Sequence, residues 1–296
     1  MRPEIAVLGS IHMDYVISLD RMPRLGETLI GKEFKMTPGG KGANQAVAAA
    51  RLGAEVYMIG KVGEDSIGDE LIENLEKNGV RTDHIKRAKT HSGVALIFID
   101  SSGNNVIGVA PGADDLGDRI KILLLQLEIP VEIVEYAIKK FSERDVRIIL
   151  NPAPYHPLSR EVLNKVFIAT PNEVELELMS GSKTASDHDL IRAGRWTIKN
   201  LGIKNLVVTL GARGAMIITE REEKLIPAFK VKPIDTTGAG DAFNGALAVA
   251  LSRGESLEAA VRYANAAGAL STLKVGAQEA LPTSEEVEKF LRESGC

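Results

Sequence analysis

The chain has 296 residues, of which 44% are hydrophobic and 26% charged, and a net charge of −4. This composition is typical of a soluble globular protein with one large domain and room for a small appendage, and the acidic balance without a basic stripe argues against nucleic acid as a partner. No stretch reaches the roughly 18 apolar residues of a membrane span, and the first apolar run is too short for a signal peptide. The single cysteine, Cys296, allows no intrachain disulfide. We therefore expect a cytoplasmic protein without a membrane segment.

The first residues predict a buried strand followed by a small antiparallel insert. Ile5 to Gly9 is apolar enough for a strand, but the six residues from Gly9 to Asp14 lack the glycine spacing of a dinucleotide fold. Asp14 lies just past the strand's carboxyl end, where open α/β sheets bind ligands, although a turn aspartate would look the same. Short apolar runs broken by proline and glycine over residues 15–38 predict a small antiparallel sheet, which a hairpin between residues 93 and 109 would complete.

A glycine-rich turn from Gly39 to Gln45 leads into a helix of small residues that ends near Gly53. Small residues allow such a helix to pack closely on a sheet. Gly40, Lys41 and Asn44 could present hydrogen-bond donors to a polyol. A tight structural turn without a ligand is the alternative at this stage.

Strands and helices alternate through the rest of the chain. Strands are predicted at residues 56–59, 122–127, 147–150, 167–170 and 205–210. Helices are predicted at 65–78, 131–142, 187–200, from 242 to a stop at Gly254, at 257–273 and from 284. This alternation predicts right-handed crossovers and a mostly parallel sheet covered on both faces. Polar side chains recur at the carboxyl ends of the strands, at Asp14, Glu128, Asn172, Glu175 and Thr209. The five histidines show no metal-ligand spacing, so a zinc site is not expected.

The segment from Pro233 to Gly245 combines an extended run, a glycine turn and a helix. The first backbone N–H groups of a helix lack partners and favour an anion, and two glycines would let a phosphate approach the amides of Gly238, Ala239 and Gly240. Asp241 would repel that phosphate unless it takes a proton from an attacking hydroxyl. Capping of the helix by Asp241 is the alternative.

Five segments together resemble the PfkB family of sugar kinases, in order and over nearly the whole chain. They are residues 39–45, 126–128, 170–173, 209–211 and 235–241. The two glycine motifs are signatures of that family, and the first of them is closer to the members that phosphorylate ribose than to those acting on fructose or adenosine. The resemblance implies an α/β fold with a mostly parallel central sheet and helices on both faces (residues 1–14, 39–92 and 110–296) and a small β-sheet lid (15–38 and 93–109).

The resemblance also implies a reaction and a set of site residues. The γ-phosphoryl group of Mg-ATP would pass to the 5-hydroxyl of ribose, with Asp241 as the catalytic base and the amides of Gly238, Ala239 and Gly240 as the anion hole. The sugar would contact His12, Met13, Asp14, Gly40, Lys41, Gly42, Ala43, Asn44, Glu128 and Asp241. The nucleotide would contact Asn172, Thr209, Leu210, Gly211, Ala212, Arg213, Gly214, Gly240, Asp241 and Asn265.

The same resemblance implies two metal ions and a homodimer. An activating monovalent cation, usually K⁺, would lie near Asp235, Thr237, Ser271, Lys274, Gly276 and Ala280. Glu175 would help to organise Mg²⁺ through water. Two copies would pair through their lids, because the exposed edges of a small sheet favour association.

Two features depart from the family pattern. His12 stands where ribose-specific members carry asparagine, at a position that touches the sugar, so a kinase for a nucleoside or fructose is an alternative. The crossover at residues 114–123 is shorter than the helix-containing connection usual in the family, either because it is abbreviated or because a segment is missing. A non-catalytic sugar or nucleotide sensor is the alternative from another functional class.

Overall fold

The structure, a computed structural model, describes residues 4–24, 26–99, 105–106 and 120–294. The described strands are β1 (Glu4–Leu8), β2 (His12–Ser18), β3 (Glu33–Gly39), β4 (Glu55–Gly63), β5 (Val80–Ala88), β6 (Gly93–Ile99), β7 (Asn105–Val106), β8 (Ile122–Leu125), β9 (Arg147–Leu150), β10 (Ile168–Ala169), β11 (Asn205–Thr209), β12 (Gly214–Ile218) and β13 (Glu223–Pro227). The described helices are α1 (Lys41–Arg51), α2 (Ser66–Lys77), α3 (Val131–Ser142), α4 (Arg160–Leu163), α5 (Glu173–Ser180), α6 (Asp187–Leu201), α7 (Ala239–Ser252), α8 (Leu257–Ser271) and α9 (Ser284–Glu293), with a 3₁₀ turn at Gly211–Arg213.

The larger of two sheets has the described strands in the order β13-β12-β11-β10-β9-β8-β1-β4-β5. Strands β11 to β5 in that order are parallel, whereas β12 and β13 are antiparallel at one edge. All four residues of β8 are buried and apolar, because helices cover both faces of the sheet at its centre. The predicted mostly parallel α/β architecture is therefore confirmed.

Alternate residues of the central strand β1 contribute to two separate hydrophobic cores. Ile5 and Val7 pack in the core that contains residues of α1, α2, α7 and α8. Ala6 and Leu8 pack in the core on the other face, with residues of α3, α4, α5 and α6. Polar groups at the end of β1 are thereby held at the carboxyl edge of the sheet between two rigid layers.

The smaller sheet has the order β3-β2-β6-β7 and lies over that edge. Strand β2 is antiparallel to β3, as expected, but parallel to β6. Residues 28–30, one of the short apolar runs expected to form a strand of this sheet, are not a strand. The predicted hairpin tip at 101–104, its last residues 107–109 and most of the 114–123 crossover lie outside the described residues. In the part of the chain that is described, no helix has the length and apolarity of a membrane span.

Asp65 joins the start of α2 to the chain that enters β6. Its carboxylate accepts from the backbone N–H of Gly68 at 2.7 Å, which makes it the N-cap of α2. It also accepts from the backbone N–H of Ser92 at 2.7 Å and from the Ser92 hydroxyl at 2.6 Å. One side chain therefore ties a helix of the large domain to the base of the smaller sheet.

We expect Asp65→Ala to lower the free energy of unfolding by about 1 kcal/mol, the usual effect of losing an N-cap. The hydrogen bonds from Ser92 lower the pKa of Asp65. The stabilisation should therefore be complete above the ordinary aspartate pKa of the unfolded chain and disappear as the pH falls through the lowered pKa of the folded one. Urea denaturation across this range measures both effects, with Asp145→Ala in an exposed turn as the control. Equal losses in the two variants would contradict the assignment.

Candidate active site

Asp241 lies in the first turn of α7, beneath the start of α1. Gly238 precedes the helix with a φ of 75°, in the left-handed region, and contributes no capping side chain. The Asp241 carboxylate does not cap its own helix, α7. Instead, Oδ2 accepts a hydrogen bond from Asn44 Nδ2 and Oδ1 accepts one from Gln45 Nε2, both at 3.0 Å. Asp241, the base predicted from the second glycine motif, is therefore held by Asn44 and Gln45 of the first motif.

The buried carboxylate of Asp241 and the half-buried ammonium group of Lys41 dominate the electrostatics of this site. Burial raises the pKa of Asp241, and Glu128 adds to the rise, although Lys41 and the hydrogen bonds from Gln45 and Asn44 oppose it. Burial lowers the pKa of Lys41, but the carboxylates of Asp241, Glu128 and Glu175 outweigh this, so its pKa lies above the ordinary value. Asp241 thus combines an elevated proton affinity with a neighbouring cation, as suits a proton acceptor.

Glu128 is anchored where the ends of β1 and β8 meet the start of α1. Its Oε2 accepts from the backbone N–H of Lys41 at 2.9 Å and from the hydroxyl of Ser10. Gly40 has a φ of 96°, and a Cβ there would lie 2.7 Å from the carbonyl oxygen of Ser10. Only glycine allows this close approach, which brings the predicted sugar-binding turn against the sheet.

His12 and Asp14 form a buried pair at the start of β2. His12 Nε2 lies 3.0 Å from Asp14 Oδ1, and His12 Nδ1 is buried without a hydrogen-bond partner among the described residues. A Cβ on Gly39 would lie 2.2 Å from the Asp14 carboxylate, so glycine makes room for Asp14. The side chains of Met13 and Ala43 pack in the hydrophobic core instead, so only their backbone atoms could contact a sugar.

Asn172 and Thr209, both predicted to contact nucleotide, lie together at the ends of β10 and β11, where they also stabilise the fold. Asn172 and Glu175 form a reciprocal capping box at the start of α5, and Asn172 pairs with Thr209 in an isolated parallel bridge. Burial raises the pKa of Glu175, although its bond from the backbone of Asn172 and the charge of Lys41 oppose the rise. Glu175 therefore lies within electrostatic reach of the sugar-binding turn.

Two other predicted nucleotide residues use their side chains on the protein itself. Arg213 forms ion pairs with Glu173 and Asp187 at the surface. Asn265 Nδ2 donates to the carbonyl oxygens of Ile226 at 3.0 Å and Pro227 at 3.2 Å, at the end of β13. In this structure both side chains therefore bind other parts of the protein.

The segment predicted to hold a monovalent cation is folded around Asp235. Its two carboxylate oxygens accept from the backbone N–H groups of Thr237 and Gly276, each at 2.9 Å. Burial raises the pKa of Asp235, but these two bonds outweigh it and the pKa lies below the ordinary value. The ionised carboxylate of Asp235 lies beside the carboxyl-terminal end of α8, where the helix dipole favours cations. Both features suit a hard monovalent ion. Among the described residues, no group of three or more His, Cys, Asp or Glu side chains could hold a metal ion by itself.

Buried amide side chains that the sequence did not single out connect these groups. Gln278, in the loop after Gly276, donates through Nε2 to Asn44 Oδ1 at 2.9 Å and accepts from Asn74 Nδ2 at 2.7 Å. Gln45 bonds to Asp241, as described above. A signal existed for Gln45, because it lies inside the glycine-rich motif, but nothing in the sequence paired either glutamine with its partner.

A family model described as pfkB family carbohydrate kinase matches residues 2–284. The chain belongs to the pfkB family of carbohydrate kinases. A ribokinase of Bacillus subtilis is 42% identical over 97% of this chain and 99% of its own. A deoxyribokinase of Salmonella typhi is 37% identical over 97% of this chain and 98% of its own. The solved structure of Arabidopsis thaliana ribokinase complexed with ribose and ATP is similar to this pfkB kinase with a TM-score of 0.90, at 32% identity and 99% coverage of both chains.

Proposed function

We propose that this pfkB kinase phosphorylates the 5-hydroxyl of D-ribose with ATP, giving ribose 5-phosphate and ADP. The observation that carries the proposal is the buried carboxylate of Asp241, fixed by Asn44 and Gln45 beside Lys41 at the start of α7. The full-length similarity to ribokinases, one of them solved with ribose and ATP, supports the substrate pair. We also propose a cytoplasmic location, where ATP is available.

In this proposal the chain's own groups position the sugar and take its proton. Asp14, Glu128 and Asn44 bind sugar hydroxyls, with the turn residues Gly40 to Ala43. Asp241 accepts the proton of the attacking hydroxyl, and the amides of Gly238 to Gly240 stabilise the charge on the migrating phosphoryl group. Phosphoryl transfer needs little covalent help, so positioning and charge stabilisation supply most of the rate. The smaller sheet acts as a lid that excludes water, which would otherwise compete as the acceptor.

The nucleotide in this proposal lies along the ends of β10 and β11, against Asn172, the turn from Thr209 to Gly214 and Asn265. Glu175 would hold Mg²⁺ through water, and the ion would neutralise phosphate charge during transfer. K⁺ would be held at Asp235 and Thr237 with oxygens of Ser271, Lys274, Gly276 and Ala280. The ionised state of Asp235 and its position at the end of α8 support that assignment.

ADP release with ATP and a panel of ribose, 2-deoxyribose, fructose and adenosine tests the substrate. We expect ribose to have the highest kcat/KM. The panel includes 2-deoxyribose because a relative of 37% identity is a deoxyribokinase and because His12 replaces the expected asparagine. A clearly higher kcat/KM with another member of the panel would exclude ribose as the preferred substrate but would still support kinase activity. No turnover with any of them would favour a sensor.

We also propose that two copies associate through the outer face of the lid. Phe34 and Met36 alternate along β3 and so share one face, and they are 61% and 44% exposed. Ile30, just before that strand, is 94% exposed. Exposed apolar groups concentrated on one small sheet favour burial against a second copy.

We expect Phe34→Glu to convert a dimer into a monomer, because a buried carboxylate without a partner would oppose association. Light scattering after size-exclusion chromatography measures the mass. Tyr136→Glu, at a 55% exposed residue of α3, is the matched control and should remain dimeric. A wild-type monomer, or a dimer that survives Phe34→Glu unchanged, would contradict the proposed interface.

A further inference from the structure

Gln45 is fully buried on α1 and uses its whole amide group, although the sugar, nucleotide and cation assignments above leave it without a role. Its Nε2 donates to Asp241 Oδ1 at 3.0 Å and to Asn151 Oδ1 at 3.1 Å. Its Oε1 accepts from Gln126 Nε2 at 2.6 Å. Both N–H groups and the carbonyl oxygen of Gln45 are therefore occupied.

The direction of this amide is imposed by the carboxylate. An ionised carboxylate only accepts, so the NH₂ group of Gln45 must face Asp241. The carbonyl oxygen of Gln45 then faces Gln126, which must present its own NH₂ group. As a result Gln126 Oε1 is buried with no hydrogen-bond partner. If the Gln126 amide were reversed, its oxygen would face the oxygen of Gln45. The observed orientation therefore leaves one oxygen of Gln126 unsatisfied but keeps Gln45 correctly oriented.

The scaffold behind the amides is rigid. Gln126 and Asn151 follow the buried central strands β8 and β9, and Asn151 Nδ2 donates to the carbonyl oxygen of Thr170 at 3.3 Å. Gln126 is fully buried and Asn151 is 7% exposed. The position of Gln45 is therefore set by the ends of two strands as well as by its own helix.

We propose that Gln45 is a positioning residue for phosphoryl transfer, which fixes the orientation of the Asp241 carboxylate and is itself held in one amide orientation by Gln126. This inference rests on the proposed kinase function, in which Asp241 accepts the proton. Asn44 holds the other carboxylate oxygen, so Gln45 and Asn44 together prevent rotation of the group.

The arrangement also determines how the base titrates. The groups that face Asp241 are Lys41, Asn44 and Gln45 on α1 and Glu128 after β8. Hydrogen bonds from Gln45 and Asn44 favour the ionised form, against the effect of burial. Losing the Gln45 donor should therefore raise the pKa of Asp241 further, and the acidic limb of the rate profile should move to higher pH.

Gln45→Met, which preserves the length of the side chain and removes the amide, tests the proposal. With the best sugar of the panel and saturating ATP, we expect kcat to fall about ten- to a hundredfold, as for the loss of one hydrogen bond to a charged group. The acidic limb of kcat should move up by about one pH unit, while KM for ATP changes little. Gln126→Met, which does not touch Asp241, should move the limb in the same direction by a smaller amount.

Thr197→Val is the control for loss of a buried hydrogen bond far from the site. Thr197 is fully buried and its hydroxyl donates to the carbonyl oxygen of Ala193 at 2.9 Å. Its replacement should lower the unfolding midpoint without moving the pH profile. If Gln45→Met behaves in the same way, or if Gln126→Met leaves the acidic limb unchanged when Gln45→Met fails to fold, the positioning role is refuted. No turnover by the wild-type protein with any sugar would instead refute the proposed function, and this inference with it.

Discussion

Asp241→Asn should reduce kcat by about 10²- to 10⁴-fold, because an amide cannot take the proton of the sugar hydroxyl. The substitution removes a buried charge whose burial raises its pKa, so the protein should remain folded. One local conflict is expected: Asn44 and Gln45 both donate to Asp241, and the new NH₂ group would face one of these donors. The amide group of that donor, Asn44 or Gln45, must then turn, at a modest cost in stability.

ADP release at saturating sugar and ATP measures the Asp241→Asn effect, and thermal unfolding measures whether the fold is kept. Asp145→Asn in an exposed turn is the control and should match the wild type. The elevated pKa of Asp241 also predicts that wild-type kcat falls as the pH drops through that value, above the range of an ordinary aspartate. The residual kcat of Asp241→Asn should not show this fall at low pH. Near-wild-type turnover in the variant would remove Asp241 as the base.

Gly240→Ala should reduce kcat/KM by about 10²- to 10³-fold, the usual effect of disturbing one anion-hole donor. Gly240 lies in the first turn of α7, and a Cβ built there meets no protein atom within 4 Å. Alanine is a better helix former than glycine by about 0.5–1 kcal/mol, so stability should stay the same or rise. The added methyl group would instead occupy the space through which a phosphate reaches the amides.

Gly254→Ala is the matched control for Gly240→Ala, with the opposite expected result. Gly254 follows the same helix with a φ of 85°, and a Cβ there also meets no protein atom within 4 Å. Alanine in this left-handed conformation costs about 1–2 kcal/mol, so stability should fall while kcat/KM stays unchanged. Kinetic assays and urea denaturation of both variants measure the contrast. Full activity in Gly240→Ala would mean that no phosphate approaches these amides.

Two regular elements, β5 and α5, escaped prediction from the sequence for different reasons. Strand β5 is an edge strand of the large sheet and is rich in charged residues, so it lacks the apolar signal of a buried strand. Helix α5 was hidden because Asn172 and Glu175 were interpreted as ligand-binding groups. Their spacing also matches a capping box, which the structure contains.

The sequence by itself determined the backbone of both glycine turns and the chemical groups carried there. Glycine alone tolerates the positive φ of Gly40 and Gly238, and a helix start follows each of them. Only the tertiary structure decided which groups meet Asp241. Asn44 and Asp241 are separated by 197 residues in the chain, and Gln45 and Asp241 by 196. Hydrogen-bond partners and burial depend on the order of the strands, which brings the ends of β1, β8 and β9 to one edge of the sheet under α1, and no local pattern of residues encodes that order.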